Sequence, residues 1–221
     1  MQIGIDLGAT KIESVLLDQN GKEILREREQ TPNNYINTLD KIKTIVLNID
    51  NKYNRKFNVG ICHPGSTENN TGLIKNSNNS TWLNNKCLQK DISNVLNRNI
   101  YCANDANCFA LSEATDGSAL NHKIVFGVIL GSGCGGGLVI DKKIITGSNN
   151  LSGEWGHNPL PYYGNLNDEK INLDSDLLVP NINIERFISG KGLEDLYFDK
   201  FKNRKQAKDI FANEADHSEF I

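Results

Sequence analysis

The chain has no apolar run approaching the roughly 20 residues that a membrane-spanning helix needs. Nor does it carry excess positive charge: the net charge of −3 gives no field that favours nucleic acid or an anionic membrane. Its five cysteines, Cys62, Cys87, Cys102, Cys108 and Cys134, never fall in C-x-C or C-x-x-C spacing. Small buried thiols in a reduced cytoplasm are therefore expected. The phosphate loop G-x-x-x-x-G-K-[ST] is missing, and no G-x-G-x-x-G leads from a strand into a helix. The hydrophobic fraction is only 38% because Asn and Lys are abundant. The first apolar strand begins at Gln2, an expectation that leaves no room for a signal peptide or a preceding DNA-binding segment.

What the chain does have is a glycine-rich hairpin, twice. Residues 3–17 run Ile-Gly-Ile-Asp-Leu-Gly-Ala-Thr-Lys-Ile and on into Val15, Leu16 and Leu17. Residues 125–140 repeat the plan around Gly131-Ser132-Gly133-Cys134-Gly135-Gly136-Gly137. Each turn leaves into β-branched or alternating sequence, so the exit element reads as a strand. Glycine at such a turn lets backbone N–H groups converge on an anion with no Cβ in the way. Ordinary hairpins also have glycine-rich turns. Asp6, Thr10, Lys11 and the repetition favour two phosphate turns that clamp one polyphosphate.

The periodicity predicts antiparallel strands over 3–7, 12–17 and 23–29, then a helix over 35–53 with its stripe at Leu39, Ile42, Ile45, Val46 and Ile49. A buried strand over 57–62 should end at His63-Pro64-Gly65, where side chains emerge from the sheet edge. A helix over 88–96 and a strand over 100–103 follow, then a helix starting at Asn104-Asp105. Polar residues over 117–122 mark a boundary between an N-terminal lobe, 1–118, and a C-terminal lobe, 119–221. Strands over 123–130, 136–140 and 144–145 open the second lobe; residues 162–181 show no period, and two helices separated near Asn203 close it. The basic cluster of Lys200, Lys202, Arg204, Lys205 and Lys208 reads as a solvated helix face.

Between the turns, Asp105 follows a strand and starts a helix. A carboxylate there can accept a hydroxyl proton during phosphoryl transfer. It can equally cap its helix, and position alone leaves both roles standing. Gly153-Glu154-Trp155-Gly156-His157 holds a carboxylate and an imidazole three residues apart on a sharp reversal, a plausible arrangement for reading sugar hydroxyls. Trp155 reads as a packing residue.

These segments, together with residues 75–84 (Lys-Asn-Ser-Asn-Asn-Ser-Thr-Trp-Leu-Asn) and 185–190 (Glu-Arg-Phe-Ile-Ser-Gly), occur in the order seen in the ROK family. The chain most resembles its bacterial fructokinase/mannokinase branch over nearly its whole length. The resemblance implies an α/β, two-lobed actin/hexokinase-like ATPase fold, with a ribonuclease-H-like core in each lobe and the second lobe incomplete. It implies ATP-dependent phosphorylation of a free hexose, fructose first, with glucose, mannose or N-acetylglucosamine as alternatives. Asp105 would be the catalytic base, and Asn79, Asn104, Glu154, His157 and Glu185 the sugar contacts. Asp6 would position Mg²⁺ through water, and Gly8, Thr10, Lys11, Gly131, Ser132 and Gly133 would bind the ATP phosphates. Sugar and ATP are then the partners, with no nucleic acid or membrane and a possible homodimer in a full-length form.

Two departures stand out. The family's zinc loop carries three cysteines where this chain has Asp176, Leu178 and Asn183, so zinc is expected to be absent. His157 would then lose the metal that fixes its ring. Family members also continue past residue 221 through an adenosine segment, so a truncated, weakly stable chain is expected. A catalytically silent sugar-binding or interaction protein is the alternative. A ROK-type repressor is disfavoured, since no helix-turn-helix precedes Gln2.

Overall fold

The computed structural model describes residues 1–159 and 183–212. The chain divides into two compact units, Met1–Gly127 with Gly137–Ser152, and Val128–Gly136 with Gly153–Ile221. The first unit thus continues past residues 117–122, where the sequence marks a boundary, and takes back part of the second hairpin.

In the first unit β1 (Gln2–Leu7), β2 (Lys11–Leu17) and β3 (Glu23–Gln30) form an antiparallel meander. Helix α1 (Tyr35–Lys52) follows, started by Asn34, whose side chain accepts the Asn37 N–H at 2.9 Å. Strand β4 (Asn58–His63) then returns parallel to β1. A small hairpin, β5 (Ser66–Thr67) and β6 (Ile74–Lys75), and a 3₁₀ turn at Thr81–Leu83 precede α2 (Leu88–Leu96). Strand β7 (Ile100–Asn104) joins parallel to β4, completing the order β3-β2-β1-β4-β7.

Period-two alternation gives the two faces of this sheet opposite characters. Ile3, Ile5, Leu7, Ile12, Leu16, Val59 and Ile61 are buried in one core with the α1 stripe and with Leu88, Ile92 and Leu96 of α2. Each such side chain stabilises the unit by roughly 1.5–3 kcal/mol. The other face carries Gly4, Asp6, Gly60 and Cys62, with Val15 and Leu17 of β2 and Tyr101 of β7 beside them. Below the core, the carboxylate of Asp50 is half of a buried ion pair with Arg98, which also donates to the Phe57 carbonyl at 3.0 Å.

Helix α3 (Asp105–Thr115) runs directly out of β7. Strands β8 (Ile124–Leu130), β9 (Cys134–Ile140) and β10 (Lys143–Ile145) make a second sheet in the order β10-β9-β8. Helix α3 meets it through Ala106 and Ala110. A Cβ at Gly127 would lie 2.8 Å from the Ala110 Cβ, and one at Gly137 would lie 2.6 Å from the Ala106 carbonyl oxygen. Glycine there is a condition of close approach, in addition to any phosphate role of this hairpin.

The second unit contains the β8–β9 turn, a 3₁₀ turn at Trp155–His157, and helices α4 (Glu185–Ile188), α5 (Gly190–Phe201) and α6 (Ala207–Ala212). Three helices stand where two are expected, because Ser189 breaks the pattern: its hydroxyl accepts the Gly192 N–H at 3.0 Å and starts α5 afresh. The break near Asn203 is present. Of the basic cluster, Arg204 lies over the Phe198 ring at 5.0 Å and Lys205 over the Tyr197 ring at 5.6 Å. Lys200, Lys202, Arg204 and Lys208 are exposed, as a solvated face requires.

Candidate active site

Parallel pairing brings the carboxyl ends of β1, β4 and β7 to one edge of the first unit. Asp6 stands beside Cys62, Cys62 beside Ala103, and His63 beside Asn104. The Cys62 thiol donates to Asp6 Oδ1 at 3.3 Å. Asp105 is the next residue after Asn104 and the first of α3.

The capping role belongs to Asn104. Its Oδ1 accepts the Asn107 N–H at 3.2 Å, and its Nδ2 donates to the Gly65 carbonyl at 3.1 Å. Asp105 Oδ1 accepts the Ala106 N–H at 2.8 Å. The Asp105 side chain reaches solvent, yet the strand ends crowd it on the other side. This partial enclosure, followed by the like charge of Asp6, raises its pKa above the ordinary aspartate value. The Ala106 N–H and His63 act in the opposite direction without cancelling the rise.

Strand β4 extends one residue beyond expectation, so His63 does not emerge from the edge. Its ring is 1% exposed, and burial pushes its pKa down, keeping it neutral. Nδ1 lies 3.1 Å from the Pro64 carbonyl oxygen, which can only accept; the proton therefore sits on Nδ1, and Nε2 accepts from the Thr67 hydroxyl at 3.4 Å. Gly65, at φ +83°, could not carry a side chain: its Cβ would come within 2.5 Å of the Lys75 carbonyl oxygen. That contact carries the loop after β6 to the same edge, where Asn84 Oδ1 accepts the Ser77 N–H at 2.9 Å. Asn79 is exposed on this loop, between the buried Ser77 and Ser80. A cavity of about 580 Å³ adjoins the edge, lined among others by His63, Thr67, Asn104 and Asn107.

The first glycine turn closes on itself, Gly8 N–H donating to the Lys11 carbonyl at 3.0 Å. Thr31, at the end of β3, holds it from outside: its hydroxyl donates to the Gly8 carbonyl at 2.8 Å and its N–H to the Thr10 carbonyl at 3.0 Å. Thr10 and Lys11 are exposed. The hold of Thr31 on the turn spans 23 positions and leaves no local signal in the sequence.

In the second unit the turn at 131–133 is closed by Gly131 N–H on the Gly133 carbonyl at 2.9 Å. The Gly190 N–H donates to the Gly131 carbonyl at 2.8 Å, placing the start of α5 beside it. Glu185 Oε2 accepts the Cys134 N–H at 2.8 Å, immediately after the turn. Trp155 Nε1 donates to the Gly135 carbonyl at 2.9 Å, and Gly156 lies so close that a Cβ would be 2.7 Å from the Cys134 Cβ. One short piece of β9 therefore anchors both Glu185 and the Glu154–His157 reversal, in which His157 Nε2 is 3.5 Å from Glu154 Oε2. A cavity of about 750 Å³ opens beside the turn, with Gly131, Ser132, Gly190 and Lys191 in its wall.

Asp176 and Leu178 lie outside the described residues. Asn183 uses its Oδ1 to accept the Arg186 N–H at 3.1 Å, an amide oxygen starting a helical turn. Among the described residues, no three His, Cys, Asp or Glu side chains are grouped to hold a metal. Asp6 and Asp105 are carboxylates suited to a hard cation held through water.

The sequence model of the ROK family matches residues 2–219. An N-acetyl-D-glucosamine kinase of Histophilus somni is 36% identical over 213 residues, covering 95% of this chain and 70% of that protein. Another, from Yersinia enterocolitica, is 35% identical over 222 residues, covering 96% and 71%. Among solved structures, a ROK hexokinase from Thermus thermophilus superposes with a TM-score of 0.79 at 20% identity, covering 96% of this chain and 68% of that one. A ROK family glucokinase from Streptomyces griseus, crystallised with glucose and AMPPNP, gives 0.69 at 24% identity, covering 97% and 63%. The fold is accordingly the α/β hexokinase-like fold of these proteins, and this chain belongs to the ROK family.

Proposed function

We propose that the chain is an ATP-dependent kinase of a free hexose, with N-acetyl-D-glucosamine ahead of fructose as the acceptor. The observation that carries the reading is Asp105 at the carboxyl end of β7, relieved of capping by Asn104 and made more basic by its surroundings. In this role Asp105 accepts the proton of a sugar hydroxyl as that oxygen attacks the γ-phosphorus of ATP. The raised pKa makes it a better proton acceptor than an ordinary aspartate.

Mg²⁺ supplies charge neutralisation on the phosphates when bound. Asp6 is the residue to position it through water, as the like-charged neighbour of Asp105. The turns at 8–11 and 131–133 are assigned to the phosphates, with Lys11 supplying an ammonium, although the Gly8 and Gly131 N–H groups are themselves held by the Lys11 and Gly133 carbonyls. Asn79, Asn104, Glu154, His157 and Glu185 are assigned to the sugar, as the family resemblance implies.

The choice of sugar follows the relatives. Fructose is what the resemblance to the fructokinase/mannokinase branch suggests, whereas the curated proteins at 34–36% identity are N-acetyl-D-glucosamine kinases. The test is sugar-dependent ADP release with Mg²⁺ and ATP over a panel of N-acetyl-D-glucosamine, glucose, mannose and fructose. A higher kcat/KM for N-acetyl-D-glucosamine than for fructose supports that order of acceptors. Preference for fructose would restore the first expectation, and no ADP release with any sugar would overturn the kinase reading.

A further inference from the structure

We propose that Cys62 and Cys108 are a modification site, a thiol pair that closes to an intramolecular disulfide at the carboxyl edge of the first unit's sheet. Cys62 is the fifth residue of β4 and points away from the main core, on the face it shares with Asp6, Gly4 and Gly60. Cys108 lies one turn into α3, three residues after Asp105. The two thiols are hydrogen-bond partners, and the Cys62 thiol also reaches Asp6 Oδ1 at 3.3 Å. Both cysteines are part-exposed. Sulfurs already in hydrogen-bond contact need only close to the bond length of about 2.05 Å.

The remaining cysteines are placed differently. Cys102 packs against the main core on the opposite face, Cys87 precedes α2 with its thiol toward the Thr71 carbonyl, and Cys134 is buried beside the second turn. The sequence spacing hides the pair, since 46 positions separate its members and the parallel pairing of β4 with β7, across the connection that contains α2, brings them together.

The oxidant is a hydroperoxide such as hydrogen peroxide. One peroxide takes both thiol hydrogens: the sulfurs lose two electrons and join, the O–O bond breaks, and two waters leave. Closure removes the S–H donor from Asp6 and ties β4 to the first turn of α3, the turn that begins with Asp105. On the kinase reading above, phosphoryl transfer should fall at least tenfold in the closed form and return with dithiothreitol.

The experiment treats the reduced full chain with a few equivalents of hydrogen peroxide and maps its peptides by mass spectrometry. The expected result is a linked peptide containing Cys62 and Cys108, two hydrogens lighter than its parts, that dithiothreitol separates. In Cys108→Ala the linkage should be absent and the turnover should become insensitive to the same dose. Recovery of Cys62 and Cys108 as separate thiols or separate sulfinic acids, with no linked peptide, would overturn the proposal. This readout needs no activity, so if the reduced chain turned over no sugar the kinase reading would fall while the linkage would still be decided.

Discussion

Glu185 Oε2 accepts the backbone N–H of Cys134 at 2.8 Å, and a side chain on the neighbouring Gly133 would collide with the same oxygen at 2.7 Å. The carboxylate thus braces the 131–133 turn of the second unit. Glu185→Ala leaves that N–H unpaired, a loss of about 1–3 kcal/mol, and the turn loses its preformed shape. The KM for ATP should rise about tenfold, and Glu185→Gln, which keeps an acceptor oxygen, should do less harm. If instead only the KM for sugar rises, the carboxylate reads sugar hydroxyls, as the family resemblance implies.

The raised pKa of Asp105 has a consequence for stability. Because folding disfavours its charged form, it contributes stability that is fully present below its unfolded pKa and is lost as pH rises through its higher folded pKa. At pH 7 the folded protein therefore bears the cost of the carboxylate. Asp105→Asn removes that cost and keeps an oxygen for the Ala106 N–H. Its Tm should exceed that of the wild type at pH 7, with the difference shrinking toward pH 3. A lower Tm at pH 7 would mean that the carboxylate is structurally required.

Asn104 performs two tasks, and two substitutions separate them. Asn104→Asp keeps the cap on the Asn107 N–H but loses the donor to the Gly65 carbonyl; Asn104→Ala loses both. Loss of a cap costs about 0.5–2 kcal/mol. The alanine variant should melt at lower temperature than the aspartate variant, while both should show a raised KM for sugar. An unchanged KM in both would leave Asn104 with structural work alone.

Gly65→Ala meets two penalties at once, the left-handed φ of +83° and a Cβ 2.5 Å from the Lys75 carbonyl oxygen. Strain of roughly 1–3 kcal/mol is expected, released by moving the loop that carries Asn79. A fall in Tm joined to a rise in sugar KM is the predicted pair of effects. A fall in Tm with an unchanged KM would separate Asn79 from the sugar.

Much of this was legible because it is local. The hairpin around Gly8, the α1 stripe and the start of α3 are each written in a dozen consecutive residues, and the structure follows them closely. The two-residue strands β5 and β6 were not, since so short an element has no period. Thr31 on Gly8 and Cys62 on Asp6 depend on which strands become neighbours, and no window of sequence contains both partners. His63 misled for a related reason: ending a strand at a Pro-Gly suggests exposure, but period two places the ring on the core face. The glycines of the second hairpin read as anion-binding, while Gly127 and Gly137 are explained by the close packing of Ala106 and Ala110.

The most direct test compares wild type with Asp105→Asn and Asp105→Ala in sugar-dependent ADP release, with sugar KM and kcat measured separately. The account predicts that both substitutions lower kcat by about 10²–10⁴-fold, with the sugar KM changed only a few-fold and the chain still folded. Turnover by either variant within a few-fold of wild type would contradict it, and would return Asp105 to a structural role at the start of α3.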